Sequence, residues 1–138
     1  MKGYVQAFII LSITYLVIGT GLGVLFFVNP ELQAFRLVHM HLNLLGFLTM
    51  MVFGVLYHVL PRFIGHPLHS EKWAWIHLYA GNAAFVVLVL SMAASIGNWF
   101  SGAWVVAGWA GFIEWCTILL FASNIFITIR NARIKSVK

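Results

Sequence analysis

Residues 37–60 read LVHMHLNLLGFLTMMVFGVLYHVL, and this stretch decides the class of fold. It contains no aspartate, glutamate, lysine or arginine, and it is long enough to cross a ~30 Å hydrocarbon core, which takes about 20 helical residues. Three other apolar stretches of similar length lie at about 4–28, 73–96 and 103–129. Because lipid cannot satisfy backbone hydrogen bonds, we expect each stretch to form a transmembrane helix.

The composition of the whole chain agrees with a membrane location. Of its 138 residues, 62% are hydrophobic and 8% are charged, and the mean hydropathy is +0.97, whereas soluble domains carry about 25% charged residues. We therefore predict one all-α integral membrane domain over residues 1–138, an up-down bundle of four helices with short connectors. Cys116 is the one cysteine, which excludes an intrachain disulfide, and we expect it to pack as a small apolar side chain.

The distribution of lysine and arginine predicts the orientation. Seven of the eight fall on one side of the predicted bundle, which is the bias typical of the cytoplasmic side. Both termini and the loop between the second and third helices are therefore expected in the cytoplasm, in a multi-pass protein of the cytoplasmic (inner) membrane of a prokaryote. The net charge of +5 then comes from basic residues at the helix ends, where they can contact anionic lipid. Nucleic acid is therefore not expected as a partner. The seven are Lys2, Arg62, Lys72, Arg130, Arg133, Lys135 and Lys138, against Arg36 alone.

Four histidines lie on the predicted spans, where polar residues are costly and usually functional. His39 and His41 are two residues apart, so their side chains project about 200° apart on a helix and cannot chelate one metal ion together. Neutral imidazole is a common axial ligand of haem iron, and we expect this pair to ligate haem iron. The alternative is a pair of interfacial histidines that hydrogen-bond to lipid headgroups or to the backbone.

His58 and His77 lie near the same end of neighbouring spans and are expected at similar depth. They are candidates for a second haem or metal site, and the alternative is that both are solvated. Glu114 lies about 16 Å along the fourth helix from its start, near the middle of the bilayer. A charge there is expensive, so Glu114 is expected to be paired, hydrated or protonated, in a proton-transfer role or in a neutral interhelical hydrogen bond. The candidate partners are Asn43, Thr49 and Asn82.

Residues 36–47, RLVHMHLNLLGF, begin a pattern that continues through a glycine and a tyrosine to Pro61. The pattern resembles the second transmembrane span of the haem–copper oxidase catalytic subunit, especially its nitric-oxide-reductase-like branch. That span contains His-x-Asn-Leu-Leu, then a glycine, aromatic residues and a proline at its far end, and residues 41–45 of this chain match the first part. The resemblance covers about 25 residues and otherwise extends to the four-span outline.

The resemblance implies that His41 is an axial ligand of a low-spin haem b. In the family this haem lies between a histidine of the second span and one of a His-x-His pair on another span. The twelve spans of the family form three arcs, and this chain is similar to one of them, which implies a homotrimer in which His39 and His41 of different subunits ligate the haem. Helices one and four contain no histidine to match the copper ligands of the family. A copper active site and an independent oxidase activity are therefore not implied.

Three functional hypotheses follow. The first is a haem b-binding membrane protein that transfers electrons, with a quinone or a respiratory complex as partner, or that binds a small gas. The second is an accessory subunit of a respiratory complex that holds no cofactor. The third is a copper-binding membrane protein, since imidazole and thioether groups both accept copper. Its candidate ligands are His39, His41, Met40, Met50 and Met51.

Overall fold

The computed structural model describes residues 1–136, and this part of the chain is helical without any strand. Four helices are long and apolar enough to cross a membrane, as predicted. The second of them, Pro30–Phe63, consists of four consecutive helical segments and is called span 2 below. The segments in chain order are α1 (Gly3–Val28), a 3₁₀-helix (Pro30–Phe35), α2 (Arg36–His41), a π-helix (Leu42–Thr49), α3 (Met50–Phe63), α4 (Glu71–Ile96) and α5 (Ala103–Ser136).

The helices pack most extensively as two pairs, α1 with span 2 and α4 with α5. Helix α1 and span 2 are antiparallel. Gly19, late in α1, lies against Asn43, early in span 2, whereas Phe8, early in α1, lies against Gly54. The most apolar window of α4 is 44% buried, compared with 22–28% in the other three spans. Helix α4 is therefore the central helix, and side chains at the contact between the two pairs lie in the interior of the molecule.

The π-helical segment sets which face of span 2 is buried. Val38, Leu42, Gly46 and Met50 are all buried and follow one another at intervals of four residues. In an α-helix of 3.6 residues per turn, three such steps would move the buried face by about 120° around the axis. The wider turn of a π-helix removes most of this drift. These four residues therefore remain on one face of span 2 because the helix is underwound there.

Span 2 ends at a glycine and not at its proline. The predicted stretch 37–60 stops before Pro61, but α3 continues to Phe63 with Pro61 inside it. Gly65 has a φ of +60°, and the N–H groups of His66 and Gly65 donate to the carbonyl groups of Pro61 (3.1 Å) and Arg62 (3.3 Å). This is the Schellman arrangement, in which a left-handed residue closes the last turn.

Helix α5 buries a single narrow stripe. Its buried residues recur at intervals of four and three, which is the heptad spacing of helices that pack at a shallow crossing angle. Cys116 lies outside the stripe and is exposed, so the prediction that it is a packing residue is wrong. The stripe begins with alanine and then becomes polar. It consists of Ala103, Ala107, Ala110, Glu114, Thr117, Asn124 and Thr128, with the partly buried Phe121 completing the spacing.

Asn124 and Thr128 attach α5 to the start of α4. The Asn124 side chain accepts a hydrogen bond from the backbone N–H of Ser70 (3.0 Å) and donates one to the Ser70 carbonyl (2.8 Å). The Thr128 hydroxyl accepts from the backbone N–H of His69 (2.9 Å). Lys2 forms a salt bridge with Glu71 at 2.9 Å. The beginning of α1, the loop 64–70 and the second half of α5 thus meet at one end of the bundle, called the 64–70 end below.

Candidate functional site

His39 lies between span 2 and α1. Its Nδ1 is 2.7 Å from the carbonyl oxygen of Gly19, and because a carbonyl can only accept, Nδ1 carries the hydrogen. The ring packs closely on α1, where a Cβ added at Gly23 would lie 2.7 Å from the His39 Cε1. The ring of Phe26 lies 5.5 Å away, centroid to centroid. The position of this imidazole is therefore fixed by a glycine, an aromatic ring and a backbone carbonyl of α1.

His41 has the same hydrogen-bonding arrangement on its own helix. Its Nδ1 lies 2.9 Å from the carbonyl oxygen of Leu37, one turn earlier. In both histidines Nδ1 carries the hydrogen, which leaves the lone pair on Nε2. Histidines that ligate metals characteristically donate their other N–H to a carbonyl or carboxylate, which fixes the tautomer and the ring orientation. Both imidazoles are partly buried, and with Nδ1 as the donor, Nε2 keeps the lone pair that a metal ligand needs.

A groove beside His39 offers space for a ligand. It has a volume of 610 Å³ and is lined by residues of α1 and of the first part of span 2, which falls within the range of about 300–1,000 Å³ for small-molecule and cofactor sites. Gly23 and Phe26 form part of an apolar wall, and Arg36 provides a cation beside it. An apolar wall with one cation suits a flat apolar macrocycle that carries carboxylate groups. The residues present therefore fit a porphyrin.

Within residues 1–136, no three or more histidine, cysteine, aspartate or glutamate side chains are grouped in a way that could hold a metal ion. A porphyrin supplies four nitrogen ligands itself, so its iron needs only one or two imidazoles from the protein. The methionines of the copper hypothesis also diverge, since Met40 is 48% exposed whereas Met50 is buried in the core. Met51 accepts a hydrogen bond from Ser12 instead.

This chain matches no known protein family, no curated protein and no solved structure. The resemblance of residues 36–61 to the haem–copper oxidase span therefore stays a prediction. The geometry of His39 and His41 is an independent observation, because it rests on two hydrogen bonds and not on the resemblance.

His58 and His77 lie in different surroundings. His58 is partly exposed, and Arg62 donates from Nη1 to both the His58 carbonyl (2.6 Å) and its Nδ1 (2.9 Å). His77 is 1% exposed, and its Nδ1 lies 3.1 Å from the Tyr57 hydroxyl. Aromatic rings enclose His77, with ring centroids 4.6–5.5 Å from that of its imidazole, and this leaves no room for a porphyrin. The enclosing rings are those of Phe8, Phe53 and Phe121.

Glu114 is buried between α4 and α5 at 3% exposure. Among the described residues, its Oε2 is a buried polar atom without a hydrogen-bond partner. The hydroxyl of Thr117, one turn further along α5, donates to the backbone carbonyl of Glu114 at 2.8 Å. The three partners expected from the sequence form other hydrogen bonds. Asn43 donates to the His39 carbonyl, Thr49 donates to the Leu44 carbonyl, and Asn82 accepts from the Tyr15 hydroxyl.

The buried polar residues of span 2 and α5 were not predicted as parts of a site. Tyr57, Asn124 and Thr128 entered only through the resemblance to the family, and Thr117 was not assigned any role. A signal was present, because Glu114, Thr117, Asn124 and Thr128 share the heptad spacing of one helix face. Polar residues that recur on one face of a transmembrane helix indicate contact with another helix or with a cavity, because lipid would leave them unsatisfied.

Proposed function

We propose that this chain is an integral membrane haem b-binding protein in which His41 and His39 are the axial ligands. The observation that carries the proposal is the common hydrogen-bonding arrangement of the two histidines. Each donates its Nδ1–H to a backbone carbonyl, at 2.7 Å for His39 and 2.9 Å for His41. Each ring keeps its Nε2 lone pair for iron, and His39 borders an apolar groove with one cation, and these are features that a bound porphyrin requires.

Each part of the candidate site has a role in holding haem. The carbonyl groups of Gly19 and Leu37 orient the imidazoles and increase the electron density on Nε2. Gly23 allows the His39 ring to approach α1, and Arg36 is placed to balance a carboxylate of the porphyrin. When bound, haem iron supplies one-electron exchange or a coordination position for a small gas.

The proposal includes a symmetric homo-oligomer. The two imidazoles project about 200° apart on one helix, so both cannot ligate the same iron from a single chain. His41 of one subunit and His39 of the next satisfy this condition, and the resemblance favours a trimer. The bundle is up-down with both termini in the cytoplasm, in the cytoplasmic membrane of a prokaryote. A quinol or a respiratory complex is the expected electron partner, and a copper active site is not part of the proposal.

The test is a visible spectrum of the purified protein. The chain is expressed with haem supply, purified in mild detergent and examined by reduced-minus-oxidised absorption, with a pyridine haemochrome assay for haem per chain. We expect b-type bands that are lost in His41→Ala and strongly reduced in His39→Ala. His66→Ala is the matched control, because the His66 ring lies in the loop and bonds to the Pro67 carbonyl.

The other outcomes separate the alternative hypotheses. A colourless protein, even after haem reconstitution, would contradict the proposal. Copper in that preparation, lost in His39→Ala, would then favour the copper-binding protein. A metal-free chain that co-purifies with a larger respiratory complex would favour the accessory subunit. The haem-to-chain ratio tests the oligomer, since ligation between subunits requires no more than one haem for each His39–His41 pair.

A further inference from the structure

A pocket of 410 Å³ lies at the 64–70 end of the bundle. It is formed by the first residues of α1 and α4, the last turns of span 2 and the loop after it, and we call it the end pocket. Its walls are mainly apolar, and Tyr4 and Leu68 contribute to them. The charged residues that line it are Lys2, Arg62 and Glu71. The end pocket therefore combines apolar surface with two cations and one carboxylate.

The charges in the end pocket are not balanced. The Lys2 ammonium forms a salt bridge with the Glu71 carboxylate at 2.9 Å, so these two charges compensate each other. Within residues 1–136, no salt bridge joins Arg62 to a carboxylate. In the part of the chain that the structure describes, the guanidinium of Arg62 is thus a cation without a counter-ion.

The guanidinium of Arg62 is held in position by span 2. Its Nη1 donates to the His58 carbonyl at 2.6 Å and to the His58 Nδ1 at 2.9 Å. Because arginine can only donate, Nδ1 is the acceptor and the ring hydrogen of His58 lies on Nε2. His58 is one turn earlier in the span, so the guanidinium is directed back along the helix, whereas a cation at the end of a span usually extends toward water. Only Nη1 takes part in these bonds, so Nη2 and Nε remain as donors.

Neighbouring aromatic side chains indicate that the end pocket lies at the level of the lipid headgroups. Phe63, the residue after Arg62, is 85% exposed, and an apolar ring in this position is favourable in lipid and not in water. Trp75 and Tyr79 of α4 are stacked with their ring centroids 5.5 Å apart, and both residue types are enriched where a membrane meets water. Trp75 also packs on Tyr4 of the pocket wall. The end pocket is therefore expected at the boundary between hydrocarbon and headgroups.

An anionic phospholipid matches both parts of the end pocket. The planar fork of an arginine side chain suits the oxygens of a phosphate group, which accept hydrogen bonds from it. The glycerol and the first acyl carbons of the lipid can lie on the apolar wall, whereas a free phosphate ion would leave that wall in contact with water. A choline headgroup would bring its own cation next to Arg62 and Lys2. The charge and the apolar surface together therefore favour a lipid that carries a net negative charge.

We propose that the end pocket is a specific site for one anionic phospholipid, in which Arg62 binds the phosphate group and Nε2–H of His58 is a second donor. The lipid supplies the counter-ion that Arg62 lacks. The salt bridge between Lys2 and Glu71 limits the positive charge of the site and so sets its affinity. The site is independent of haem, because the groove beside His39 lies at the other end of span 2.

The experiment counts the lipids that the protein retains. Protein purified in mild detergent is titrated with dioleoyl phosphatidylglycerol or with dioleoyl phosphatidylcholine, and the lipids bound per chain are measured by native mass spectrometry. We expect one phosphatidylglycerol per chain, retained at concentrations at which phosphatidylcholine is not. Arg62→Gln should weaken this binding about fivefold. Lys72→Gln is the matched control, because it removes a charge at the same end but outside the pocket, and it should change the affinity by less than about twofold.

A second variant should have the opposite effect. Glu71→Gln removes the carboxylate from the end pocket and releases Lys2 from its salt bridge, so phosphatidylglycerol should bind about fivefold more tightly. The hydrogen bonds of Arg62 are unchanged in this variant, so its result does not depend on how well Arg62→Gln folds. Glu31→Gln makes the same change of charge at the other end of the bundle and should bind the lipid as the wild type does.

Three outcomes would overturn the site. The first is equal affinity for the two lipids. The second is equal weakening in Arg62→Gln and Lys72→Gln, which would show a diffuse attraction to the basic end of the bundle. The third is displacement of phosphatidylglycerol by an excess of inorganic phosphate, which would assign the pocket to a soluble anion instead.

Discussion

The two histidine regions of this molecule differ in what surrounds the imidazole. In His39 and His41, Nδ1 of each ring donates a hydrogen bond to a backbone carbonyl. A surface groove lies beside His39. Around His77, the chain itself supplies the hydroxyl partner and three enclosing aromatic rings. The first region lies beside an open groove, whereas the second is closed by aromatic rings. A histidine beside a groove is accessible to a ligand from outside, whereas an enclosed histidine contacts only other parts of the chain.

The largest expected effect separates the two regions by haem content. The double variant His39→Ala/His41→Ala should lose all haem, because no axial ligand remains, whereas His77→Phe should keep the wild-type haem-to-chain ratio. The measurement is the pyridine haemochrome assay on protein that elutes as a single oligomer. Haem loss in a folded His77→Phe protein would show that the second site at His58 and His77 predicted from the sequence exists after all.

The contact between the two regions depends on Gly46. A Cβ there would lie 2.7 Å from Cζ of Phe85 and 2.9 Å from Cβ of Tyr15, both of which are buried. Gly46→Ala should therefore lower the free energy of unfolding by about 3 kcal/mol through overpacking. The measurement is unfolding in mixed micelles with increasing denaturing detergent.

The matched control for Gly46→Ala is Gly21→Ala in α1, where no atom lies within 4 Å of the added carbon. This variant should unfold as the wild type does or be slightly more stable, because alanine is the better helix former. Equal losses in both variants would mean that the contact between span 2 and α4 does not limit stability.

The stability of the closed region should depend on Asn124, which is fully buried. Asn124→Ala removes both hydrogen bonds to Ser70 and leaves that backbone unsatisfied at the start of α4, so we expect a loss of about 2 kcal/mol in the free energy of unfolding. Ser123→Ala, one residue earlier and on the exposed side of α5, should change it little. If the two variants unfold alike, the attachment of the 64–70 end to α5 is not a stabilising feature.

The smallest effect concerns the salt bridge between Lys2 and Glu71. Both side chains are more than half exposed, at 63% and 51%, so we expect a coupling below about 0.5 kcal/mol in a double-mutant cycle. The measurement compares Lys2→Ala, Glu71→Ala and the double variant. A coupling several times larger would show that the two helix pairs are joined by charge at the 64–70 end as well as by packing.

Much of the fold could be predicted from the sequence because the bilayer imposes length and apolarity on every span. The four helices and the short connectors between them were predicted on this basis. The π-helical segment was not predicted, because an underwound turn does not change the pattern of apolar residues when nearly every residue is apolar. The end of span 2 was misplaced because Pro61 is tolerated in the last turn, and Gly65 closes the helix.

The candidate site could be predicted only in part. Histidines are costly in an apolar span, so His39, His41 and His77 were identified as candidate site residues. Their surroundings, however, depend on which helices pack together. The sequence could not show that His77 is enclosed, or that Asn43 and Thr49 bond to backbone carbonyls instead of to Glu114. The rings around His77 come from α1, span 2 and α5, and apolar periodicity does not reveal such packing when a helix is apolar on all sides. The hydrogen bonds of Asn43 and Thr49 are local to span 2.

The narrow buried stripe of α5 also has an evolutionary consequence. About two positions in every seven contact α4, and the others are free to change as long as they stay apolar. Selection on this helix is therefore concentrated at the positions of the stripe, and drift at the remaining positions erases similarity without altering the fold. Among related chains, we expect Glu114, Thr117, Asn124 and Thr128 to persist while the tryptophans on the outer faces of α5 are exchanged for other large apolar residues.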